Sequence, residues 1–268
     1  MTLKDIAQLV SNQVDSPEAT QTLNKRMIVK VATLNVVALL IFGVALLYTM
    51  KDYQTFTGST QKYILIGLSG FFVVISALGL YLLNRPTMYA LPKLFKLFKW
   101  VDTVQFLVIS LLIVLHIITF YVFTAEVFQS SMFPTLQQHD RLIVYQFDYT
   151  PQRNDVVVIF IDEDYYAIEE SHYVKRVVGL PGDTIEVNNL NQLLINGSVV
   201  QNLPAANVQD VKDLIEFLPD GKIMPGFYFV LGDNVANSHD SRNIGFIREQ
   251  DIKAKVIFRF FPKVGVIE

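Results

Sequence analysis

Three short stretches hold most of the side chains in this sequence that can do covalent chemistry. The first is Ser130-Ser131-Met132-Phe133-Pro134-Thr135-Leu136, two hydroxyls ahead of a proline that pushes its predecessor out of helix. By residue type alone it is a loop with capping serines, and its hydroxyls become nucleophiles only beside a base. The second runs from His172 to Thr184 and places Lys175 where six of the eight residues from 173 to 180 are Gly or apolar. In a strand, Tyr173 and Val177 share the face of Lys175, and Arg176 takes the opposite face. Residue types do not say which face is buried. An edge strand with snorkelling cations fits the run. So does a desolvated lysine, whose pKa falls by up to about 3–5 units and whose amine is then neutral near neutral pH.

The third stretch, 232–242, reads Gly-Asp-Asn-Val-Ala-Asn-Ser-His-Asp-Ser-Arg. Its density of hydrogen-bonding side chains suits a loop that supports a site, or simply a polar surface loop. His239 beside Asp240 invites a Ser-His-Asp reading, although nothing around it requires more than a loop histidine. A metal site from His139, His172 and His239 lacks any recognised ligand spacing, so no metal is expected. The chain has no cysteine. That excludes disulfides, thiolate zinc sites, iron–sulfur clusters and cysteine nucleophiles.

The elements that carry these stretches divide into two kinds. The 268 residues are 51% hydrophobic and only 18% charged, with a mean hydropathy of +0.36, which excludes disorder and directs attention to membrane segments. Residues 1–125 hold ten Lys/Arg against five Asp/Glu, whereas 126–268 hold twelve against twenty. The acidic half has no phosphate-binding patch, so no nucleic-acid partner is expected. Three uncharged apolar runs, 31–50, 63–84 and 103–125, are each about 30 Å or more as helices. They predict three transmembrane helices. The first is longer than a typical signal-peptide core and lacks a small-x-small end, which makes it a permanent anchor.

Orientation follows from the flanking charges. Lys25, Arg26 and Lys30 precede the first run, and Arg85, Lys93, Lys96 and Lys99 separate the second from the third. The loop between the first two has only Lys51, Asp52 and Lys62. The positive-inside rule then puts the segment 1–27 and residues 85–101 in the cytoplasm, the membrane domain at 28–125, and everything after Ala125 outside. Asn35 and His116 fall within spans, where each is expected to face a neighbouring helix.

Residues 126–268 change texture to short apolar runs between turn signals, which predicts a mostly antiparallel β domain. Runs 141–149 and 156–161 read as a hairpin, as do 184–187 and 193–195. Runs 227–231 and 256–261 complete the strands, 211–217 reads as a short helix, and about 184–231 reads as a small insertion.

Taken in order, the three stretches resemble the type I signal peptidases, membrane-bound serine endopeptidases with a Ser/Lys dyad on a β-rich catalytic fold. Ser-Met-x-Pro-Thr-Leu is similar to the family's nucleophile box, and Tyr-x-Lys-Arg-x-x-Gly-x-Pro-Gly-Asp to its general-base box. Gly-Asp-Asn-x-x-x-Ser-x-Asp-Ser-Arg is similar to a third box, and the resemblance spans roughly 126–263. It implies Ser131 as nucleophile and Lys175 as base, with Ser238 hydrogen-bonded to the lysine amine and Asp240 and Arg242 bracing the loop as an ion pair. It implies no cofactor. The Ser131 backbone N–H would serve the oxyanion hole. Gln129 stands where the family has a small residue that supplies a second donor, a contribution of about 2.7–4 kcal/mol where tested. Val235 replaces a usual arginine, and three spans exceed the family's minimum of one.

The resemblance further implies shallow pockets, partly lined by Met132, Leu136 and Tyr173, for secretory pre-proteins with small residues before the cleavage site. Ser131 lies six residues past Ala125, about 20 Å of extended chain. The expected place is therefore the outer face of the cell membrane, with lipid and the secretion machinery as further partners. Val127, Phe128 and Phe133 fit either the lipid interface or ordinary core packing. Two other functions fit the architecture: a non-catalytic relative acting as chaperone or assembly factor for surface proteins, and a membrane sensor. Neither accounts for an intact serine and lysine together.

Overall fold

A computed structural model describes residues 1–50, 58–85, 90–166, 171–200, 209–216 and 218–267. The chain divides into two compact units, Met1–Thr119 and Phe120–Glu268.

The first unit is helical. Helix α1, Leu3–Ser11, opens on a capping box: the Thr2 side chain accepts from the Asp5 amide while the Asp5 carboxylate accepts from the Thr2 amide. Helices α2 (Pro17–Met50), α3 (Gly58–Leu83) and α4 (Leu91–Phe120) are each long and apolar enough to cross a membrane. Side chains such as Leu40, Phe71 and Phe106 are exposed. Asn35 donates to the Val73 carbonyl (3.0 Å) and to Ser76 Oγ (2.9 Å), so it does face a neighbouring helix. Helices α2 and α4 begin well before their uncharged runs. Ala19, Leu23 and Met27 of α2 and Leu91, Leu94 and Phe98 of α4 repeat at helical spacing and close on Ile6 of α1. Lys30 pairs with Asp102 across those extensions. Lys51 and Asp52 lie outside the described residues.

The end of the third expected span needs correction. Helix α4 stops at Phe120, and residues 122–125 join strand β1, Val122–Glu126. Tyr121, Val122, Phe123 and Thr124 favour strand by type, and β1 pairs along its whole length with β2, Arg141–Tyr145.

The second unit is mostly β. Its further strands are β3 (Val156–Ile161), β4 (Ser171–Gly179), β5 (Ile185–Val187), β6 (Leu193–Ile195), β7 (Ser198–Val199), β8 (Phe227–Leu231), β9 (Ile247–Arg248), β10 (Ile252–Phe261) and β11 (Gly265–Val266). Short helices α5 (Glu163–Tyr166), α6 (Gln209–Glu216) and α7 (Ser241–Ile244) lie between them. The large sheet runs β1-β2-β10-β3-β4-β8-β9, with β11 also on β10, and β5-β6-β7 form a second sheet. Every pairing is antiparallel. The expected hairpin between 141–149 and 156–161 does not form, because β10 inserts between β2 and β3 and pairs with both. A partner about a hundred residues away leaves no local signal. The β5–β6 pair and a helix over most of 211–217 are present, while Phe217 and 201–208 lie outside the described residues. Strand β8, placed within the expected insertion, belongs to the large sheet.

Strand β8 is buried on both faces. Tyr228 and Val230 pack with Val157, Ile159, Val177 and Ile247, whereas Phe229 and Leu231 pack with Ile185, Ile195 and Ile223 of the small-sheet side. Gly179 makes the crossing possible, since a Cβ there would sit 2.5 Å from Ile223 Cδ1 and 2.9 Å from Phe229 Cβ.

Candidate active site

Lys175 sits in β4 directly opposite Val157 of β3. That register puts it on the face of Val177 and of the Val157–Tyr228–Val230 core, which answers the question of sidedness. Only 1% of the residue is exposed. Its stem passes through apolar packing, and Nζ donates to Ser131 Oγ at 2.8 Å. The amine also lies 5.1 Å from the centre of the Tyr173 ring. Burial pushes Lys175 down from an ordinary 10.5 to about 8; the nearby Asp240 carboxylate opposes the shift and the Arg242 guanidinium adds to it. Arg176, on the other face, grips Asp233 by two 2.8 Å hydrogen bonds.

Ser131 is itself buried, in the loop between β1 and β2. The loop is pinned at its base by Val127 N–H to Asp140 O (3.0 Å) and His139 N–H to Val127 O (2.7 Å). Arg259 of β10 donates to both the Asp140 carboxylate (2.9 Å) and the Thr135 carbonyl (3.1 Å). The third stretch clamps the loop near its tip. The Asn234 amide donates to the Ser131 carbonyl (2.9 Å), its side chain to the Ser130 carbonyl (3.0 Å), and Asn237 to Ser130 Oγ (2.8 Å). Thr135 donates to Asp233.

Asp240 and Arg242 form the expected ion pair, fully interior, and Asp240 also accepts from the Gly232 amide at 2.9 Å. The expected hydrogen bond from Ser238 to Lys175 is not made. Ser238 Oγ is buried without a hydrogen-bond partner among the described residues. It occupies the space left by Gly232, where a Cβ would fall 2.2 Å from Ser238 Oγ and 2.5 Å from the Ser131 carbonyl.

A cleft of about 100 Å³ borders the pair, walled by Val127, Gln129, Ser131, Met132, Tyr173 and Lys175 among others. Met132 and Tyr173 lie on its wall. Leu136 does not: it is wholly buried and not on the cleft wall. Gln129 is exposed on the wall. Val127 packs inside, while Phe128 and Phe133 are exposed. Strand β4 pairs with β3 along Ser171–Arg176 but with β8 only from Arg176 onward. The second edge at Tyr173–Lys175 therefore faces the cleft, where an extended peptide can add as a strand.

The histidines separate. His139 meets Glu126 at 2.9 Å, the His172 ring lies tilted 5.1 Å from that of Phe160, and the His239 ring lies 6.4 Å from that of Tyr173. With Asp240 held by Arg242 and Ser131 by Lys175, no Ser-His-Asp chain is assembled. No cluster of three or more His, Cys, Asp or Glu suited to a metal occurs among the described residues. The sequence reading missed the Asn234–Asn237 clamp, the Arg176–Asp233 pair and the Val127, His172 and Val174 walls; the polar density of 232–242 was the only signal for the clamp. A buried lysine beside a buried serine is an arrangement for base-activated nucleophilic attack and acyl transfer.

Residues 100–261 match the family described as "Signal peptidase, peptidase S26". The chain is 34% identical over 177 residues to "Probable signal peptidase I-1" of Synechocystis sp., covering 60% of this chain and 82% of the relative. It is 38% identical over 172 residues to "Signal peptidase I P" of Bacillus subtilis subsp. natto, covering 60% and 89%. A crystal structure of a signal peptidase I from Enterococcus faecalis aligns with a TM-score of 0.28 and 24% identity, over 40% of this chain and 97% of that one. The chain belongs to the S26 signal peptidase family, on the strength of the sequence matches.

Proposed function

We propose that this chain is a membrane-bound serine endopeptidase that removes N-terminal signal peptides from secretory pre-proteins, with Ser131 as nucleophile and Lys175 as general base. The observation that carries this reading is the 2.8 Å contact between a buried lysine amine and a buried serine hydroxyl, in a chain of the signal peptidase family. A base must be neutral to act, and burial takes Lys175 to about 8. The amine accepts the Ser131 proton as Oγ bonds to the scissile carbonyl carbon. The resulting ammonium returns that proton to the leaving amine as the C–N bond breaks. Water, deprotonated by the same lysine, then cleaves the acyl-serine ester and restores the hydroxyl. The Ser131 N–H and Gln129 are the proposed oxyanion donors, and Asp240 and Arg242 brace the loop behind them.

The cleft's small volume beside Met132 and Tyr173 supports small side chains before the scissile bond. The three apolar helices and the lysine and arginine clusters at 25–30 and 85–99 support a multi-pass anchor with residues 126 onward outside the cell membrane. Lipid and the secretion machinery are its proposed neighbours there. Purified protein incubated with a pre-protein should yield a product whose new N-terminus follows small residues. No cleavage, with serine and lysine intact, would favour a chaperone or assembly role.

A further inference from the structure

Two hollows of unequal size adjoin the elements that carry the dyad. The cleft already described is lined by Glu126, His172, Ser131 and Lys175 among others. A second hollow of about 670 Å³ is lined by Pro134 and Thr135 of the same loop, Arg176 and Val178 of β4, and Gly232 and Asp233 after β8. Its volume falls within the range of ligand sites. The lining alternates along β4, because Lys175 faces one hollow and the next residue, Arg176, faces the other.

A peptide laid along the β4 edge at Tyr173–Lys175 cannot continue in the sheet, since β8 takes that edge from Arg176 onward. Gly232, where a Cβ would fall 2.5 Å from the Ser131 carbonyl, also lines the second hollow with Asp233, which gives the peptide a way out beyond the dyad. The far wall is strand β7. It is the outer strand of its sheet among the described residues. The Val200 amide bonds back to Leu193 (2.8 Å), so by alternation the backbone groups of Val199 point away from β6. Val199 is 42% exposed. An edge without a strand partner among the described residues, with apolar Val178, Val199 and Leu231 and polar Asn154 and Ser198 on one hollow, suits an extended peptide backbone with small to medium side chains.

We propose that this second hollow binds the first residues following the scissile bond, holding the mature side of the pre-protein as an extended strand against β7. This rests on the endopeptidase reading above. The test compares two precursor peptides on the full-length protein. One ends just past the scissile bond, and the other continues for about six residues, roughly 20 Å of extended chain. The unaltered protein should prefer the longer peptide, and both Val199→Trp and Val199→Glu should reduce that preference about tenfold, through KM. An unchanged ratio of kcat/KM between the two peptides would overturn the proposal. Failure to cut either peptide would instead count against the endopeptidase reading. The binding claim then stands on a separate measurement: in Ser131→Ala, a photo-crosslinker on the third residue after the scissile bond should attach within 198–200 or at Val178. Attachment confined to other segments would overturn it.

Discussion

Asp240 holds Arg242 through two hydrogen bonds of 2.8 Å, and both side chains are buried. Such a pair contributes little net stability, but losing one partner strands a buried charge at a cost of about 3–5 kcal/mol. Its second effect is on Lys175, whose ammonium is favoured by Asp240 and disfavoured by Arg242. The two partners therefore act on the lysine in opposite directions, Asp240 more than Arg242, and burial is the largest influence on its protonation.

That opposition predicts opposite pH shifts. The rise of kcat/KM with pH should follow deprotonation of Lys175, with an apparent pKa near 8. Asp240→Asn removes the charge that favours the ammonium and should move the rise to lower pH. Arg242→Gln should move it to higher pH. Both variants should melt earlier, so the profiles are read well below their melting temperatures. A rise that vanishes in His172→Ala, with activity kept at low pH, would mean that an imidazole had been titrating.

The dyad variants separate two nucleophile models. Ser131→Ala and Lys175→Ala should each remove nearly all precursor cleavage, and the double variant should lose no more than either alone, because the two act as a unit. Lys175→Arg should be equally inactive, since guanidinium stays protonated. His239→Ala should keep most activity, as its ring contacts Tyr173 and not the serine. A folded but inactive His239→Ala would revive the Ser-His-Asp arrangement.

How far the site was legible follows from the range of its contacts. Lys175 announced itself by an apolar run with alternating faces, and the run sufficed to name Tyr173 and Val177 as neighbours. It could not choose the buried face, which was set by register with Val157 and by β8 arriving from fifty residues away. Asp240 and Arg242 lie two apart, and their pairing was implied by the family resemblance. Ser238 was expected on Lys175 because the family resemblance implied it, yet the missing side chain of Gly232 gives its hydroxyl another place. Leu136 was assigned to the cleft by the family resemblance, but the loop turns through the Met132–Leu136 hydrogen bond and carries it inward. The β10 insertion between β2 and β3 was hidden for the same reason: strand order is decided by pairings that no short window contains.

Topology can be checked because the chain has no native cysteine. A cysteine at exposed Leu190 should react with a membrane-impermeant thiol reagent on intact cells, and one at Lys96 should not. Reversed labelling would sink the orientation and the secretory role together.

Stability should be traded against function at Lys175. Unfolded, its amine titrates near 10.5, and folded near 8. Below pH 8 both states hold the proton, and the folded state bears the full cost of burying an ammonium. Between 8 and 10.5 the unfolded chain binds more protons, so stability rises with pH through that window and the cost is gone above it. Lys175→Met keeps the length of the side chain and removes the charge. At pH 7 it should stabilise the catalytic unit by roughly 3 kcal/mol, from about 1.36 kcal/mol for each pKa unit, while abolishing cleavage. At pH 10 most of that gain should disappear. Thermal unfolding of both proteins in detergent at the two pH values measures it. A variant no more stable than the parent at pH 7 would show that the buried amine is solvated or paired in the folded state. The neutral base would then need another origin.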